Sequence, residues 1–568
     1  MKKAFSAAIC VLNSKYIHSS LAPWCLLAGV DAYGDQAITA KVMEGTINEP
    51  MEKVAQRIVA QNPEVISFCC YIWNITDTKQ LVRLVKSRLP DAVIILGGPE
   101  VSYHADAVLR EEPLVEYVIS GEGEKPFALL LNAISKGERA VGIPGVCYRE
   151  GDQTVIAQPY ITEEDPPSPY TKAYFDALKG RIAYLETSRG CPFTCAFCLS
   201  GRCGNARFFS LDRAKAEMIS LANSGTQTVK LVDRTFNANR KRAIELFRFI
   251  IVNYGVAIPQ GVCFHFEIAG DILDDETIEL LATAPVGAMQ LEIGLQSFND
   301  ETLAAINRKT DMARLKSNIK RIVANANMHI HIDLIAGLPH EGIDSFTESF
   351  NTAYSLQPNM LQLGFLKLLY GAPMRENPEE YPCKYAKEPP YEVTQTPWLS
   401  PEELLHLHDT EDALERLYNS GRFRRTLEYL LKQGGQQPYD LFDQFGRFAA
   451  RKGTQKISLD EYTALVYTYF GAQTAIDKAV LRDVMVCDRL ATISTGKLPA
   501  ALRVEDGALK DAVRELENNE TTCSQKGIKR GVALLYSEHC VAYADYHEKN
   551  PITGEYTLFK IPLDVIGD

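Results

Sequence analysis

The chain has 568 residues, of which 46% are hydrophobic and 23% are charged, and its formal net charge is -12 at pH 7. These values are typical of a globular protein of several domains. The acidic balance argues against a broad nucleic-acid surface, because such surfaces need clustered Lys and Arg. Fourteen cysteines, a start without a signal peptide and the lack of a long apolar run predict a cytoplasmic protein without disulfides or membrane spans.

The first 150 residues alternate strand-like and helix-like segments. Short apolar runs at 7–12, 64–71, 92–99 and 115–119 predict strands. Apolar residues recur at helical spacing between the first and second of these runs and between the second and third. Such alternation predicts a parallel sheet with helices on both faces, a Rossmann-like domain over residues 1–150. Ligands bind such sheets at the carboxyl ends of their strands.

Two glycine-rich turns follow strands of this predicted sheet. Glycine allows close approach of the backbone to a flat or phosphorylated ligand, although either turn alone could be an ordinary one. The residues concerned are Gly97, Gly98 and Pro99 in one turn and Gly121, Glu122, Gly123 and Glu124 in the other. Residues 151–180 are predicted to be a linker, since prolines and charges concentrate there.

Three cysteines then follow in a C-x3-C-x2-C pattern at Cys191, Cys195 and Cys198. Three thiolates in one loop can hold three irons of a 4Fe-4S cluster and leave the fourth iron open. The alternatives are a zinc knuckle, for which a fourth ligand and a second C-x2-C pair are missing, or three unrelated core cysteines. The nearest spare thiol, Cys203, lies off the pattern.

Six strand candidates over residues 181–385 predict an open, partial (β/α)6 barrel. They lie at 182–187, 228–232, 263–268, 289–293, 330–335 and 360–366, with helical patterns between them. Catalytic groups of barrels collect at the carboxyl ends of strands. Three polar residues on these strands are therefore catalytic candidates, namely His265, His331 and Asp333. A carboxylate there could equally satisfy a buried arginine.

The cysteine loop, with Phe197 just before its third cysteine, resembles the cluster loop of the radical SAM superfamily. The segments 232–237, 294–297, 307–310 and 333–339 resemble strand motifs of the same superfamily, and the two glycine turns ahead of the loop resemble the cobalamin-binding domain of cobalamin-dependent radical SAM proteins. The expected fold class is α/β, with that domain followed by the partial barrel and a mostly helical α+β C-terminal domain.

The resemblance implies roles for individual residues. Cys191, Cys195 and Cys198 would hold the 4Fe-4S cluster, and the two glycine turns would contact cobalamin. Contacts to S-adenosylmethionine (SAM) are implied for Phe197, Glu267, Gln296, Leu366 and Lys367. The histidine motif that supplies a lower cobalt ligand in some relatives does not occur, and His18 could be that ligand or a loop histidine bonded to backbone or substrate.

Residues 386–568 are expected to form an accessory or substrate domain. Leucines near 404–417 and 423–431 have helical spacing, and three strand-like segments follow at 531–536, 540–543 and 556–559. Tyr536, His539, Tyr543 and His547 could line a pocket or form a packed sheet.

The resemblance implies a cobalamin-dependent radical SAM enzyme, foremost a methyltransferase acting on an unactivated carbon of a small molecule or peptide. The same domains also serve oxidoreductases, cyclases and rearrangement enzymes without methyl transfer. A third hypothesis is a redox or cobalamin sensor, which would need no SAM turnover. An enzyme of this kind would take electrons from a donor such as flavodoxin or ferredoxin.

Overall fold

The computed structural model describes residues 5–453, 456–504, 507 and 531–563. The chain packs as two compact units. The first comprises residues 1–269, 304–309 and 366–396, and the second comprises 270–303, 310–365 and 397–568. No helix within the described ranges combines the length and the apolar character that crossing a membrane requires.

The first unit begins with a seven-stranded sheet. Its strands are β1 (Phe5–Asn13), β2 (Ile38–Thr46), β3 (Val65–Cys69), β4 (Val93–Gly97), β5 (Tyr117–Ile119), β6 (Val146–Glu150) and β7 (Gln153–Val155). The order in space is β2-β1-β3-β4-β5-β6-β7. The first five strands run parallel, whereas β6 pairs antiparallel with β5 and β7 pairs antiparallel with β6.

Helices cover both faces of this sheet. They are α1 (Ala22–Tyr33), α2 (Met51–Val59), α3 (Ile75–Lys86), α4 (Pro99–Ser102), α5 (Ala105–Glu111) and α6 (Glu124–Ser135). Alternate residues of β1 point to opposite faces. Cys10 packs in one buried cluster with residues of α2 and α3, whereas Ile9 packs in another with residues of α6. The predicted parallel sheet with two covered faces is confirmed.

Three parallel strands of the first unit are the first three of the six predicted barrel strands. These are β8 (Ala183–Leu185), β11 (Thr228–Leu231) and β12 (Cys263–Ile268), and β11 lies between the other two. The cluster loop (residues 190–206) is closed at its base by an antiparallel ribbon of β9 (Ser188–Arg189) and β10 (Arg207–Phe208). The helices of this region are α7 (Lys172–Leu178), α8 (Leu211–Ala222) and α9 (Arg240–Asn253).

The second unit contains the other three predicted barrel strands, β13 (Met289–Gln296), β14 (His329–Ala336) and β15 (Met360–Phe365). They run parallel, with β14 between β13 and β15. The helices around them are α10 (Asp275–Ala282), α11 (Asp300–Ala305), α12 (Met312–Ala324) and α13 (Ile343–Ser355).

The segment 366–396 returns to the first unit with α14 (Pro373–Glu376), β16 (Lys384–Tyr385) and β17 (Val393–Gln395). The rest of the second unit is mainly helical. It consists of α15 (Pro401–Leu414), α16 (Arg424–Gly434), α17 (Pro438–Arg451), α18 (Leu459–Phe470), α19 (Lys478–Thr492) and an antiparallel sheet of β18 (Val532–Leu535), β19 (Cys540–Lys549) and β20 (Tyr556–Pro562).

A π-helical turn, Glu415–Asn419, extends α15 and brings its last residue to β15. The amide oxygen of Asn419 accepts the backbone N–H of Leu361 at 3.0 Å, and its amide nitrogen donates to the Leu361 carbonyl at 2.8 Å. One side chain therefore satisfies both backbone groups of a strand residue.

Candidate cofactor site

The cluster loop begins at the carboxyl end of β8, where a buried carboxylate holds the chain. Asp233 accepts the backbone N–H of Thr187 at 2.7 Å, the Thr187 hydroxyl at 2.5 Å and the backbone N–H of Ser188 at 3.0 Å. Burial raises the pKa of Asp233 to about 6, although these hydrogen bonds oppose the shift. The path into the loop is therefore fixed by a residue 46 positions later in the chain.

The three thiols lie in the same loop, each beside a polar neighbour. The sulfur of Cys191 is 3.4 Å from the Thr235 hydroxyl, and Cys198 accepts a backbone N–H from Ser200 at 3.4 Å. Burial raises the pKa of the Cys195 thiol, and the adjacent thiols raise it further. The Arg308 guanidinium, which donates to the Cys195 sulfur at 3.7 Å, lowers this pKa. Three thiols in one loop can supply the thiolate ligands of an iron-sulfur cluster.

Two segments that are distant in the chain form hydrogen bonds with the loop. The backbone N–H of Ala196 donates to the Ile306 carbonyl at 2.9 Å, and the Ala196 carbonyl accepts from Met374 at 3.0 Å. The Asn307 amide donates to the Thr194 carbonyl at 3.2 Å. The segments 304–309 and 366–396 thus pack with the loop in the first unit.

The other predicted SAM residues of the first unit differ in exposure. Phe197 is half-buried, Leu366 is buried and Lys367 is exposed. Glu267 on β12 is half-buried, with one carboxylate oxygen 3.9 Å from Lys230 Nζ and the other 3.9 Å from a guanidinium nitrogen of Arg234. Glu267 is therefore a strand carboxylate near two cations, which fits either a SAM contact or a structural ion pair.

Gln296 ends β13 in a strained conformation. Its φ is +75°, although it is not glycine, and the strand register shifts between Gly294 and Gln296. Its side-chain oxygen is buried without a hydrogen-bond partner in the described part of the chain. Strain of this kind collects at functional sites, and a buried free acceptor suits a ligand with hydrogen-bond donors.

The catalytic candidates lie on two strands of different units. His265 is buried on β12. On β14, His331 Nε2 is 2.9 Å from Asp333 Oδ1, and His331 Nδ1 is 3.9 Å from Glu292 Oε2 on β13. The imidazole therefore lies between two carboxylates. One of them, Glu292, was not among the predicted catalytic residues. The three side chains could also hold a metal ion.

The two glycine turns of the N-terminal sheet are explained in part by packing within the protein. Gly98 has φ +108°, and a Cβ there would lie 2.5 Å from the Cys70 carbonyl oxygen. Gly121 has φ +89°, and a Cβ would lie 2.3 Å from the Tyr160 carbonyl oxygen. Both positions thus require glycine for close approach of one backbone to another, whatever they contact in addition.

The side chains of Glu122 and Glu124 point to the base of the cluster loop. Arg189 Nη1 donates to Glu122 at 3.0 Å, and Arg189 Nη2 donates to Glu124 at 2.5 Å. Pro99 is exposed and Gly97 and Gly123 are half-buried. Contact of these turns with cobalamin stays a prediction, and their two carboxylates already have arginine partners.

His18 lies in the loop after β1 and contacts the barrel region of the same unit. Its Nδ1 is 2.8 Å from the hydroxyl of Tyr184 on β8. Burial lowers the pKa of His18, and Lys15 and Lys230 lower it further. This placement matches the alternative of a bonded loop histidine, while its cobalt ligation stays a prediction.

An aromatic pair at the carboxyl end of β3 was not among the predicted residues. Tyr71 and Trp73 stack with ring centroids 4.4 Å apart and an angle of 6° between the rings, and Trp73 is 46% exposed. Tyr16 and Ile17, after β1, are also exposed. Exposed apolar side chains at the strand ends of a doubly covered sheet suit a large flat ligand.

Three family models match the sequence. The B12 binding domain matches residues 8–131, the radical SAM superfamily matches 185–353, and a family described as a protein of unknown function (DUF4080) matches 379–539. The predicted fold class and the predicted cobalamin and radical SAM domains are confirmed. The predicted boundaries at 150, 180 and 385 stay predictions.

Similar proteins include the cobalamin-dependent radical SAM methyltransferase TokK of Streptomyces tokunonensis, 27% identical over 53% of this chain and 46% of its own length. The anaerobic magnesium-protoporphyrin IX monomethyl ester cyclase of Cereibacter sphaeroides is 24% identical over 54% of this chain and 52% of its own length. The chain thus spans about half the length of these relatives.

Among solved structures, the fold is similar to that of the radical S-adenosylmethionine methyltransferase TsrM from Kitasatospora setae, which was solved with cobalamin and a [4Fe-4S] cluster bound. The TM-score is 0.55 at 18% identity, and the match covers 65% of this chain and 74% of TsrM. The similarity to TsrM is one of fold, and the family matches identify a B12-binding domain and a domain of the radical SAM superfamily within this chain.

Proposed function

We propose that the protein is a cobalamin-dependent radical SAM enzyme, and foremost a methyltransferase that acts on an unactivated carbon. One observation carries the proposal: the B12-binding domain and the three-cysteine loop belong to the same compact unit, with ion pairs between them. The similarity to the cobalamin-dependent radical SAM methyltransferase TokK supports methyl transfer as the reaction.

The cofactors would supply the difficult chemistry, a 5'-deoxyadenosyl radical from SAM and the cluster and a methyl group from cobalamin. The chain would bind and orient them. Cys191, Cys195 and Cys198 would hold the cluster, and Glu267 and Gln296 would bind polar groups of SAM. His265, His331 and Asp333 are proposed to contact the substrate, a small molecule or peptide.

A radical reaction without methyl transfer is the second candidate. It is favoured by the similarity to the magnesium-protoporphyrin IX monomethyl ester cyclase, which covers as much of this chain as the similarity to TokK does, at 24% identity compared with 27%. Product analysis separates the two, since only a methyltransferase incorporates label from methyl-labelled SAM into its product. In either case we propose a cytoplasmic enzyme that receives electrons from a flavodoxin- or ferredoxin-like donor.

The proposal is tested by purifying the protein without oxygen from cobalamin-fed cells and measuring iron, cobalamin and SAM cleavage. About four irons and one cobalamin per chain are expected, together with 5'-deoxyadenosine when SAM and a reductant are added. The Cys195→Ala variant should lose the cluster and this cleavage.

The possible failures have different meanings. Four irons without cobalamin would reject the cobalamin-dependent function. A full complement of both cofactors without any 5'-deoxyadenosine would favour the sensor. SAM cleavage that persists in Cys195→Ala would reject the cluster assignment.

A further inference from the structure

Two arginines lie opposite each other at the base of the cluster loop. Arg189 on β9 and Arg207 on β10 are paired residues of the ribbon that closes this loop. Like charges directly across a strand pair are destabilising unless carboxylates neutralise them. The ribbon therefore depends on the acidic groups around it.

The carboxylate that contacts both arginines comes from the B12-binding domain. One oxygen of Glu122 accepts from Arg189 at 3.0 Å, and its other oxygen accepts from Arg207. Arg189 also binds Glu124 at 2.5 Å and Glu186 at 2.8 Å. Of the three carboxylates, only Glu122 contacts both arginines in the described structure.

The network is shielded from water. The side chains of Arg189, Glu122 and Glu124 are each less than 15% exposed. Burial alone would raise the pKa of Glu124, but Arg189 lowers it below its usual value. Charges this deeply placed are screened little by salt, so removal of one partner leaves a costly unpaired charge.

Both glutamates are held by backbone contacts within the first unit. The N–H of Glu122 donates to the Tyr160 carbonyl at 2.7 Å. Glu124 is the first residue of α6, and a Cβ on Gly29 of α1 would lie 2.3 Å from its carbonyl oxygen. The positions of the carboxylates therefore follow the turn at the carboxyl end of β5, where ligands of such sheets bind.

We propose that Glu122, with Arg189 and Arg207, couples the cobalamin turn to the cluster loop, so that cobalamin binding orders the loop that holds the cluster. Glu122 acts as a positioning residue in this scheme. The inference rests on the proposed function, because it takes cobalamin as the ligand of the turn. Coupling is reciprocal, so an assembled cluster tightens cobalamin binding by the same factor.

The test is hydrogen-deuterium exchange of the full-length protein with its cluster assembled, under anaerobic conditions, with and without added hydroxocobalamin. In the wild type, cobalamin should slow amide exchange in residues 188–209 by roughly fivefold or more, the lower end of usual coupling between sites. In Glu122→Gln this response should disappear, while the absorbance of bound cobalamin persists at higher ligand concentration.

Two further variants make the result specific. Glu150→Gln removes an exposed partner of Arg139 in the same N-terminal sheet and should respond as the wild type does. Adding Arg207→Gln to Glu122→Gln removes one of the two facing positive charges, so it should recover thermal stability lost in the single variant, while the exchange response to cobalamin stays absent because the connecting carboxylate is still missing.

Each contrary outcome has one meaning. If the wild type binds hydroxocobalamin but exchange in residues 188–209 does not change, the coupling is rejected and the proposed function stands. If Glu122→Gln responds as the wild type does, Glu122 is not the connecting residue. If the wild type binds no cobalamin, the proposed function is rejected and the coupling with it.

Discussion

Two buried aspartates, one in each unit, accept hydrogen bonds in almost the same way. Asp233 accepts the backbone N–H and the hydroxyl of Thr187 and one more N–H beside it. In the helical region, Asp488 on α19 accepts the N–H of Thr426 at 2.9 Å, its hydroxyl at 2.7 Å and the N–H of Arg425 at 3.1 Å. Burial raises the pKa of both aspartates to about 6.

The difference lies in what each aspartate holds. Thr187 leads directly into the cluster loop, so Asp233 fixes the entrance to a cofactor site. Asp488 fixes the beginning of α16 and also pairs with the Arg425 guanidinium, which reaches Glu555 at 2.7 Å. The same arrangement of donors therefore serves a reactive loop in one region and helix packing in the other. The hydrogen bonds around an aspartate therefore do not by themselves distinguish the two roles.

The largest effect is expected for Asp233→Ala. The substitution leaves three buried donors without their acceptor, and each such group costs about 1–3 kcal/mol. Because these donors set the path into the loop, iron and sulfide content should fall well below the wild-type level. Metal analysis and thermal unfolding provide the measurement. Full iron content in a folded Asp233→Ala protein would contradict the role assigned to this carboxylate.

Asp488→Ala is the matched variant in the other unit. The substitution leaves the backbone N–H groups of Arg425 and Thr426 and the Thr426 hydroxyl without their acceptor, each at a cost of about 1–3 kcal/mol, so the midpoint of thermal unfolding should fall clearly. The iron content of the folded protein should stay at the wild-type level, because Asp488 fixes helix packing. Loss of the cluster at temperatures where this variant remains folded would show that Asp488 also affects the cluster loop, which contradicts the different roles assigned to the two aspartates.

A smaller, pH-dependent effect is expected from Glu341, a buried carboxyl that accepts from two hydroxyls and no backbone N–H in the described structure. Ser297 donates to it at 2.6 Å and Ser349 at 3.0 Å, and burial raises its pKa to about 7. The folded state thus favours the neutral acid. Stability should therefore be highest below about pH 4.5 for this group and decline as the pH rises to about 7.

Glu341→Gln provides the measurement for this prediction. An uncharged amide of similar shape should remove this part of the pH dependence, so the difference in unfolding midpoint between variant and wild type should grow between pH 5 and pH 7.5. A constant difference over that range would show that Glu341 does not titrate within it.

The sequence predicted features that depend on local pattern. The cluster loop was predicted from the spacing of Cys191, Cys195 and Cys198, and the barrel strands were predicted from their apolar runs. Both signals lie within a few residues of the chain. β2 escaped prediction because Thr39, Lys41 and Glu44 interrupt its apolar residues, so that it lacks a continuous apolar run. Arg308 could not be assigned to Cys195, since 113 residues separate them and only folding brings them together.

The turn residues show a second limit. Gly98 and Gly121 were predicted to allow a ligand close to the backbone, and the structure shows that each is also required by a neighbouring backbone. Likewise, the carboxylates of Glu122 and Glu124 bind arginines whose sequence positions gave no indication of the contact. A motif reveals that a position is constrained, whereas the source of the constraint depends on contacts between distant segments.

The Asn419 side chain has a consequence for the outer strand of the second unit. In the described structure β15 bonds to β14 alone among the strands, which leaves its other side open to pairing with a strand from another molecule. At Leu361 both backbone groups are already occupied by Asn419. An incoming strand would have to displace this amide, so the π-helical turn protects the sheet against edge-to-edge aggregation at that residue.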